Sequence, residues 1–143
     1  MTTLLDTSML IGLINPADAF HAWSGYQFPI LKLQGPVLLA DIVFAEWSIA
    51  MRDRAHLDET IALLGLQRVR CSDDALYRAG QAFLEHKKRR GQAKRVLPDM
   101  IIGAIAEIER IALATANPGD FSSYFPKVKL ISPPPATAQT PPV

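Results

Sequence analysis

Thr2-Thr3-Leu4-Leu5-Asp6-Thr7-Ser8-Met9-Leu10-Ile11-Gly12-Leu13-Ile14 decides the fold. Residues 2–5 suit a short buried strand, and residues 8–14 suit a helix that Asn15-Pro16 stops. Strand then helix opens an α/β unit, and a carboxylate, Asp6, stands at the junction. The pattern recurs. Glu46 lies in Asp41-Ile42-Val43-Phe44-Ala45-Glu46-Trp47, Asp99 in Leu97-Pro98-Asp99-Met100-Ile101-Ile102-Gly103, and Asp120 in Asn117-Pro118-Gly119-Asp120-Phe121. Each acid sits inside or beside an apolar segment, where an unpaired charge is costly. Two carboxylates about 4 Å apart repel by roughly 4 kcal/mol at an effective dielectric near 20, so converging acids call for a cation. All-oxygen ligands favour a hard divalent ion, and such an ion points to phosphodiester hydrolysis.

Working outward, residues 17–34 read as helical but interrupted by Gly25 and Pro29, which predicts a broken helix or a helix plus loop. Gly35-Pro36 turns into a second buried strand, Val37-Leu38-Leu39-Ala40. Asp41 is placed to cap a helix over 42 to about 54, with Val43, Trp47, Ala50 and Met51 at helical spacing. A further helix over 57–64 ends near Gly65 and leads to a strand around 68–71. Ser72 then caps a longer helix in which Leu76, Ala79, Gly80 and Phe83 recur on one face. Pro98 and Asp99 suit the first turn of a helix reaching about residue 110. Ile111-Ala112-Leu113-Ala114-Thr115 and Val128-Lys129-Leu130-Ile131 are the last strands. Buried strands alternating with helices predict a mainly parallel sheet covered on both faces, with ligands beyond the carboxyl ends of the strands. Asp6 and the loop over 115–120 fall there. From Pro133 onward the proline-rich sequence predicts a flexible tail over 133–143, leaving one domain over 1–132.

A chain of 143 residues, 49% hydrophobic and 20% charged, is long enough to bury one core without staples. The single cysteine, Cys71, cannot form an internal disulfide, which favours a reducing, cytoplasmic setting. The opening lacks a positive n-region and meets an acid at Asp6, so it does not read as a secretory signal, and no apolar run is long enough to span a bilayer. His21, His56 and His86 lack zinc-type spacing. No glycine-rich phosphate loop, nucleophile elbow or Asp-x-Asp phosphatase start is present. Taken singly, the acids have plain structural roles: Asp6 as a cap, Glu46 as a paired surface acid, Asp99 as a first-turn acid and Asp120 in a turn. The weight lies in their joint order.

That ordered set, Leu5-Asp6-Thr7-Ser8, Ala45-Glu46, Leu97-Pro98-Asp99-Met100-Ile101-Ile102-Gly103 and Ala114-Thr115-Ala116-Asn117, resembles the PIN-domain ribonucleases, in particular the VapC-like toxins of type II toxin–antitoxin systems. The resemblance spans about residues 3–132 and extends to Tyr124-Phe125-Pro126 and Leu130-Ile131-Ser132-Pro133. It implies a three-layer α/β/α sandwich and an endoribonuclease in which Asp6, Glu46 and Asp99 gather one or two Mg²⁺ or Mn²⁺ ions. Ser8 resembles the small polar residue that orients such a cluster, and Thr115 the hydroxyl after the last buried strand. Many relatives place an arginine and then an aspartate after that threonine, whereas this chain has Ala116 and Asn117. The fourth ligand is then either Asn117, through its amide oxygen, or Asp120, displaced along the loop. The resemblance also implies a cognate antitoxin and a homodimer. The apolar faces around Phe44, Trp47 and Met51, or of the helix over 57–64, are candidate contacts.

The run His86-Lys87-Lys88-Arg89-Arg90-Gly91-Gln92-Ala93-Lys94-Arg95 carries six fixed positive charges and no acid, in a chain of net charge +1. Carboxylates repel a phosphate backbone, so a nuclease needs cations near its acidic centre. Lys87, Lys88, Arg89, Arg90, Lys94 and Arg95 are therefore assigned to RNA contact. Two other functions fit the same residues: a PIN-fold nuclease of another pathway acting on DNA or RNA, and a non-catalytic, partner-binding regulator.

Overall fold

The computed structural model describes residues 1–90 and 97–135. The opening stretch forms β1 (Thr3–Leu5) and α1 (Thr7–Ile14), followed by α2 (His21–Gln34), β2 (Val37–Ala40), α3 (Asp41–Ser48), α4 (Arg54–Leu64) and β3 (Gln67–Val69). Then come α5 (Asp73–Arg90), α6 (Leu97–Glu109), β4 (Ala112–Ala114), α7 (Gly119–Ser122) and β5 (Leu130–Ile131). All strands are parallel, in the order β3-β2-β1-β4-β5, with Leu4 level with both Leu38 and Leu113. Successive strand residues point to opposite faces. Thr3, Leu4 and Leu5 are all buried, as are Ala112, Leu113 and Ala114, so the central strands are covered on both sides, the three-layer α/β arrangement expected.

Several elements depart from the reading of the sequence. The helix α2 runs unbroken through Pro29. A proline inside a helix removes one backbone bond, but burial of Ser24, Phe28 and Leu31 on one face holds α2 together. The helix starting at residue 41 ends at Ser48, and Ala40, not Asp41, is its N-cap. Asp41 instead pairs with Arg68 across to β3. A cap that sequence inspection passed over restarts the chain as α4: Asp53 accepts the His56 N–H at 2.8 Å. Gly65, at φ 64°, closes α4 in the left-handed conformation expected of a glycine there. The Ser72 cap holds, its Oγ accepting the Ala75 N–H at 3.1 Å.

The buried face of α5 is Ala75, Ala79, Ala82 and His86, one position removed from the face expected, and Leu76 and Gly80 are exposed. Small side chains on this face let α5 lie close against α6, whose Met100 and Ile102 to Ala106 are buried. Arg78 locks the pair: its guanidinium donates to Glu107 at 2.7 Å and to the Tyr124 carbonyl at 2.7 Å, and lies 4.8 Å over the Phe125 ring. The ring of Phe125 rests on Gly103, where any side chain would collide with it. Asp120 lies on α7, a short helix where the sequence predicts a loop. Trp47 is fully buried and is closed to any partner, whereas Ile49 and Leu63, each 86% exposed, stay open. Of the proline-rich tail, residues 136–143 lie outside the described residues, as do 91–96 of the basic segment.

Candidate active site

From β1 the chain builds the sheet one way through β2 and β3, then returns to build the other side through β4 and β5. The switch point between β1 and β4 is where open α/β sheets bind ligands. Asp6 ends β1 there, with its N–H on the Ala114 carbonyl at 2.9 Å. It occupies the N-cap position of α1, but its carboxylate does not cap the helix. Instead Oδ2 accepts the Ser8 hydroxyl and the Thr115 hydroxyl, each at 2.7 Å.

Both hydroxyls are oriented by the loop after β4. Ala116 N–H donates to Ser8 Oγ at 3.1 Å and Asn117 N–H to Thr115 Oγ1 at 2.9 Å. Each hydroxyl thus takes a backbone proton and turns its own toward Asp6. Both choose the same oxygen, so Oδ1 of this 5%-exposed carboxylate is engaged by neither. Glu46, on α3, is oriented in the same way by Thr7, whose Oγ1 donates to Oε1 at 2.8 Å. Thr7 was missed as a site residue, although its place between Asp6 and Ser8 was the available signal.

Asp99, in the first turn of α6, completes the wall. Burial, and then the charges of Asp6, Asp120 and Glu46, push its carboxyl up to about 7. Asp120 on α7 is largely exposed, yet the partial desolvation it does suffer and the charge of Asp6 still raise its carboxyl. Three acids from separate parts of the chain therefore bear on Asp99 beside the switch point. Asn117 is exposed and reaches the cluster through its backbone N–H. Asp120 thus adds a charge beside the other acids, whereas Asn117 brings none.

Among the described residues, no three His, Cys, Asp or Glu side chains are already placed closely enough to hold a metal ion. The donor set still suits a hard divalent cation: oxygen ligands throughout, mutual repulsion that a cation would relieve, and Asp6 and Glu46 already oriented by hydroxyls.

Beside the acids a cavity of about 180 Å³ is lined by Asp99, Asp120, Met100 and Tyr124, together with His86, Ser123 and Gly119. A larger hollow of about 750 Å³ lies at the opposite ends of the strands, around Met1, Thr2 and Ala112. Its one carboxylate, Glu107, is already paired with Arg78, so the acid chemistry lies at the smaller cavity. His86 and Tyr124 also escaped the reading of the sequence as a site pair. They are 38 residues apart, and only the folding of the segment after α7 onto α5 brings them together.

Of the basic segment, Lys87 and Lys88 are exposed at the end of α5. Arg89 pairs with Glu85 and lies 5.1 Å over the Tyr124 ring, which brings the start of the segment to the rim of the acidic cavity. Lys94 and Arg95, and the side chain of Arg90, lie outside the described residues. Cys71 is half-buried, its thiol pushed up by burial and by Asp41 and Glu109, as suits a packing residue. No described helix is long and apolar enough to cross a membrane.

No protein-family model matches the chain, and no curated protein matches it. Solved structures do. A chain of the VapBC2 complex of Rickettsia felis, bound to a DNA fragment from its promoter, superposes with a TM-score of 0.69 at 17% identity, covering 92% of this chain and 98% of that one. VapC20 of Mycobacterium tuberculosis, a toxin that cleaves the sarcin-ricin loop, superposes with a TM-score of 0.61 at 22% identity, covering 85% and 93%. A toxin–antitoxin complex from Klebsiella pneumoniae gives a TM-score of 0.56 at 25% identity, covering 84% and 90%. The chain has the PIN-domain fold of these VapC-type toxins.

Proposed function

We propose that this chain is a divalent-metal-dependent endoribonuclease and the toxin of a toxin–antitoxin pair. The observation that carries the proposal is Asp99, whose carboxyl is raised by burial and by three further acids at the sheet's switch point. Such a cluster is costly unless a cation is meant to enter it.

Asp6, Glu46, Asp99 and Asp120 would hold one or two Mg²⁺ or Mn²⁺ ions. When bound, the metal neutralises charge on the scissile phosphate and lowers the pKa of an attacking water. The chain's own part is preorganisation. Ser8 and Thr115 fix the plane of Asp6, Thr7 fixes Glu46, and Asp99, its carboxyl raised to about 7, would have to be deprotonated to serve as a ligand. Lys87, Lys88 and Arg89 would draw the RNA backbone toward an otherwise repulsive centre, with Arg90, Lys94 and Arg95 continuing that track.

An RNA substrate is supported by the likeness to a toxin that cleaves the sarcin-ricin loop. An antitoxin partner is supported by the likeness to toxin–antitoxin complexes. A homodimer belongs to the same reading, with Ile49 and Leu63 as the apolar side chains near α3 and α4 left open to either contact. A cytoplasmic setting agrees with an unpaired Cys71.

The test is cleavage of a mixed pool of structured and single-stranded RNA by purified protein with Mg²⁺ or Mn²⁺, against EDTA and against Asp6→Asn. Metal-dependent cleavage lost in the variant is the expected result. Full activity in the metal-saturated Asp6→Asn protein would sink the assignment. Asp120→Asn is expected to cost far more activity than Asn117→Ala, and the reverse order would move the fourth ligand to Asn117.

A further inference from the structure

His86 is 9% exposed and lines the cavity that Asp99 and Asp120 also line. Its Nδ1 meets Tyr124 Oη at 2.8 Å, with the rings edge to face at 5.6 Å. Among the described residues Nε2 has no partner, and it is not sealed from solvent. Tyr124 is held at both ends, its hydroxyl by His86 and its carbonyl by Arg78. His86 thus lines the cavity with one ring nitrogen clamped and the other uncommitted among the described residues.

The chemistry of the occupant follows from the walls. Two carboxylates repel a phosphate, and among the described residues no lysine or arginine lines the cavity to offset them. Met100 supplies an apolar surface, while His86, Tyr124 and Ser123 supply hydrogen-bonding groups. A volume of about 180 Å³ is below the ~300–1,000 Å³ of drug-sized pockets and suits a single small ring system. Single-stranded RNA is read by splaying out bases and bonding their edges next to aromatic rings. Arg89, over the Tyr124 ring, links the basic track to this pocket.

We propose that the cavity between His86, Tyr124 and the acid pair Asp99 and Asp120 receives the nucleobase next to the scissile phosphate, with His86 Nε2 as the specificity-determining contact. In its cleavage arm the proposal rests on the nuclease reading; in its binding arm it does not.

The binding arm titrates the wild-type protein, in Mg²⁺, with each of the four ribonucleoside 5′-monophosphates while following the imidazole Cε1–H signals of its three histidines by NMR. The His86 signal is expected to move with at least one nucleotide while those of His21 and His56 stay put, and ribose 5-phosphate is expected to leave it unmoved. A His86 signal that none of the nucleotides moves, or that ribose 5-phosphate moves equally, would overturn the proposal. In the cleavage arm His86→Ala is expected to raise KM about tenfold with kcat little changed, the size of losing one buried hydrogen bond, and to broaden the set of cut sites. His86→Gln is expected to recover part of the loss. Unchanged KM and cut sites would also overturn it. Should His86→Ala fail to fold, Tyr124→Phe keeps the ring and removes only the hydroxyl, and a smaller shift in the same direction is expected. A wild-type protein that cuts no RNA but shows the His86 response would end the nuclease reading and leave the pocket standing.

Discussion

A carboxylic acid that titrates at about 7 instead of 3.8, as Asp99 does, is favoured in its protonated form by the fold. Below 3.8 both native and unfolded chains hold the proton; between 3.8 and about 7 only the native chain does. Stability contributed by this group is therefore complete in acid, falls as pH rises through that window, and levels off above it. Metal-free protein is expected to lose melting temperature between about pH 5 and pH 8, and Asp99→Asn to flatten much of that slope. Added Mg²⁺ should raise the melting temperature more at about pH 8 than at pH 5, because the ion competes with the proton for the same carboxylate. Calorimetric scans at both pH values check this. An unchanged slope in Asp99→Asn would mean that the acids do not converge on that side chain. At this scale, much of the site was legible. Asp6, Glu46 and Asp99 announce themselves as acids in apolar company, whereas the orienting role of Thr7 depends on a bond spanning 39 residues, which no local pattern encodes.

Among the elements, the close approach of α6 to the ring of Phe125 rests on Gly103. Gly103→Ala gains helix propensity but drives a methyl group into that ring, and is expected to destabilise the protein by about 1–3 kcal/mol in urea titrations. Gly80→Ala on α5 meets nothing, since Gly80 is exposed with open space around it, and is expected to stabilise by about 0.5–1 kcal/mol. The opposite signs of the pair separate propensity from packing. The same distinction explains which elements sequence inspection placed well. The strands β1, β2 and β4 are buried on both faces and stand out as apolar runs, as does the strongly apolar α6. The face of α5 was shifted because its core side is alanine, a residue that hydrophobic spacing weighs lightly against nearby Leu76 and Phe83. The sequence predicts a broken α2 because a proline penalty is local, while the burial that overrides it is tertiary. Helix α7 is a single turn of four residues, too short for any periodicity to show.

Across the whole molecule, a net charge of +1 gives no general attraction for nucleic acid, so any such attraction has to come from a local cluster such as the cations at the end of α5. RNA affinity is expected to fall as salt rises, and Lys87→Ala with Lys88→Ala to lower the slope of log affinity against log salt by about 1–2. Affinity measured across a salt series decides it, and an unaltered slope would place the RNA on another face. The architecture was legible at this scale too, since buried strands alternating with helices leave little choice beyond a parallel sheet with its site past the strand ends. The strand order was not, because it is fixed by which strands pair and not by any one segment. That order has a consequence in time. The hydroxyl of Thr115 reaches Asp6 across 109 residues of chain, and Asp99 and Asp120 arrive about as late. A nascent polypeptide leaving the ribosome carries Asp6 and Glu46 long before their partners exist, so the centre cannot assemble during most of synthesis. The acidic centre is therefore a property of the folded chain as a whole, and no early fragment of it carries the cluster.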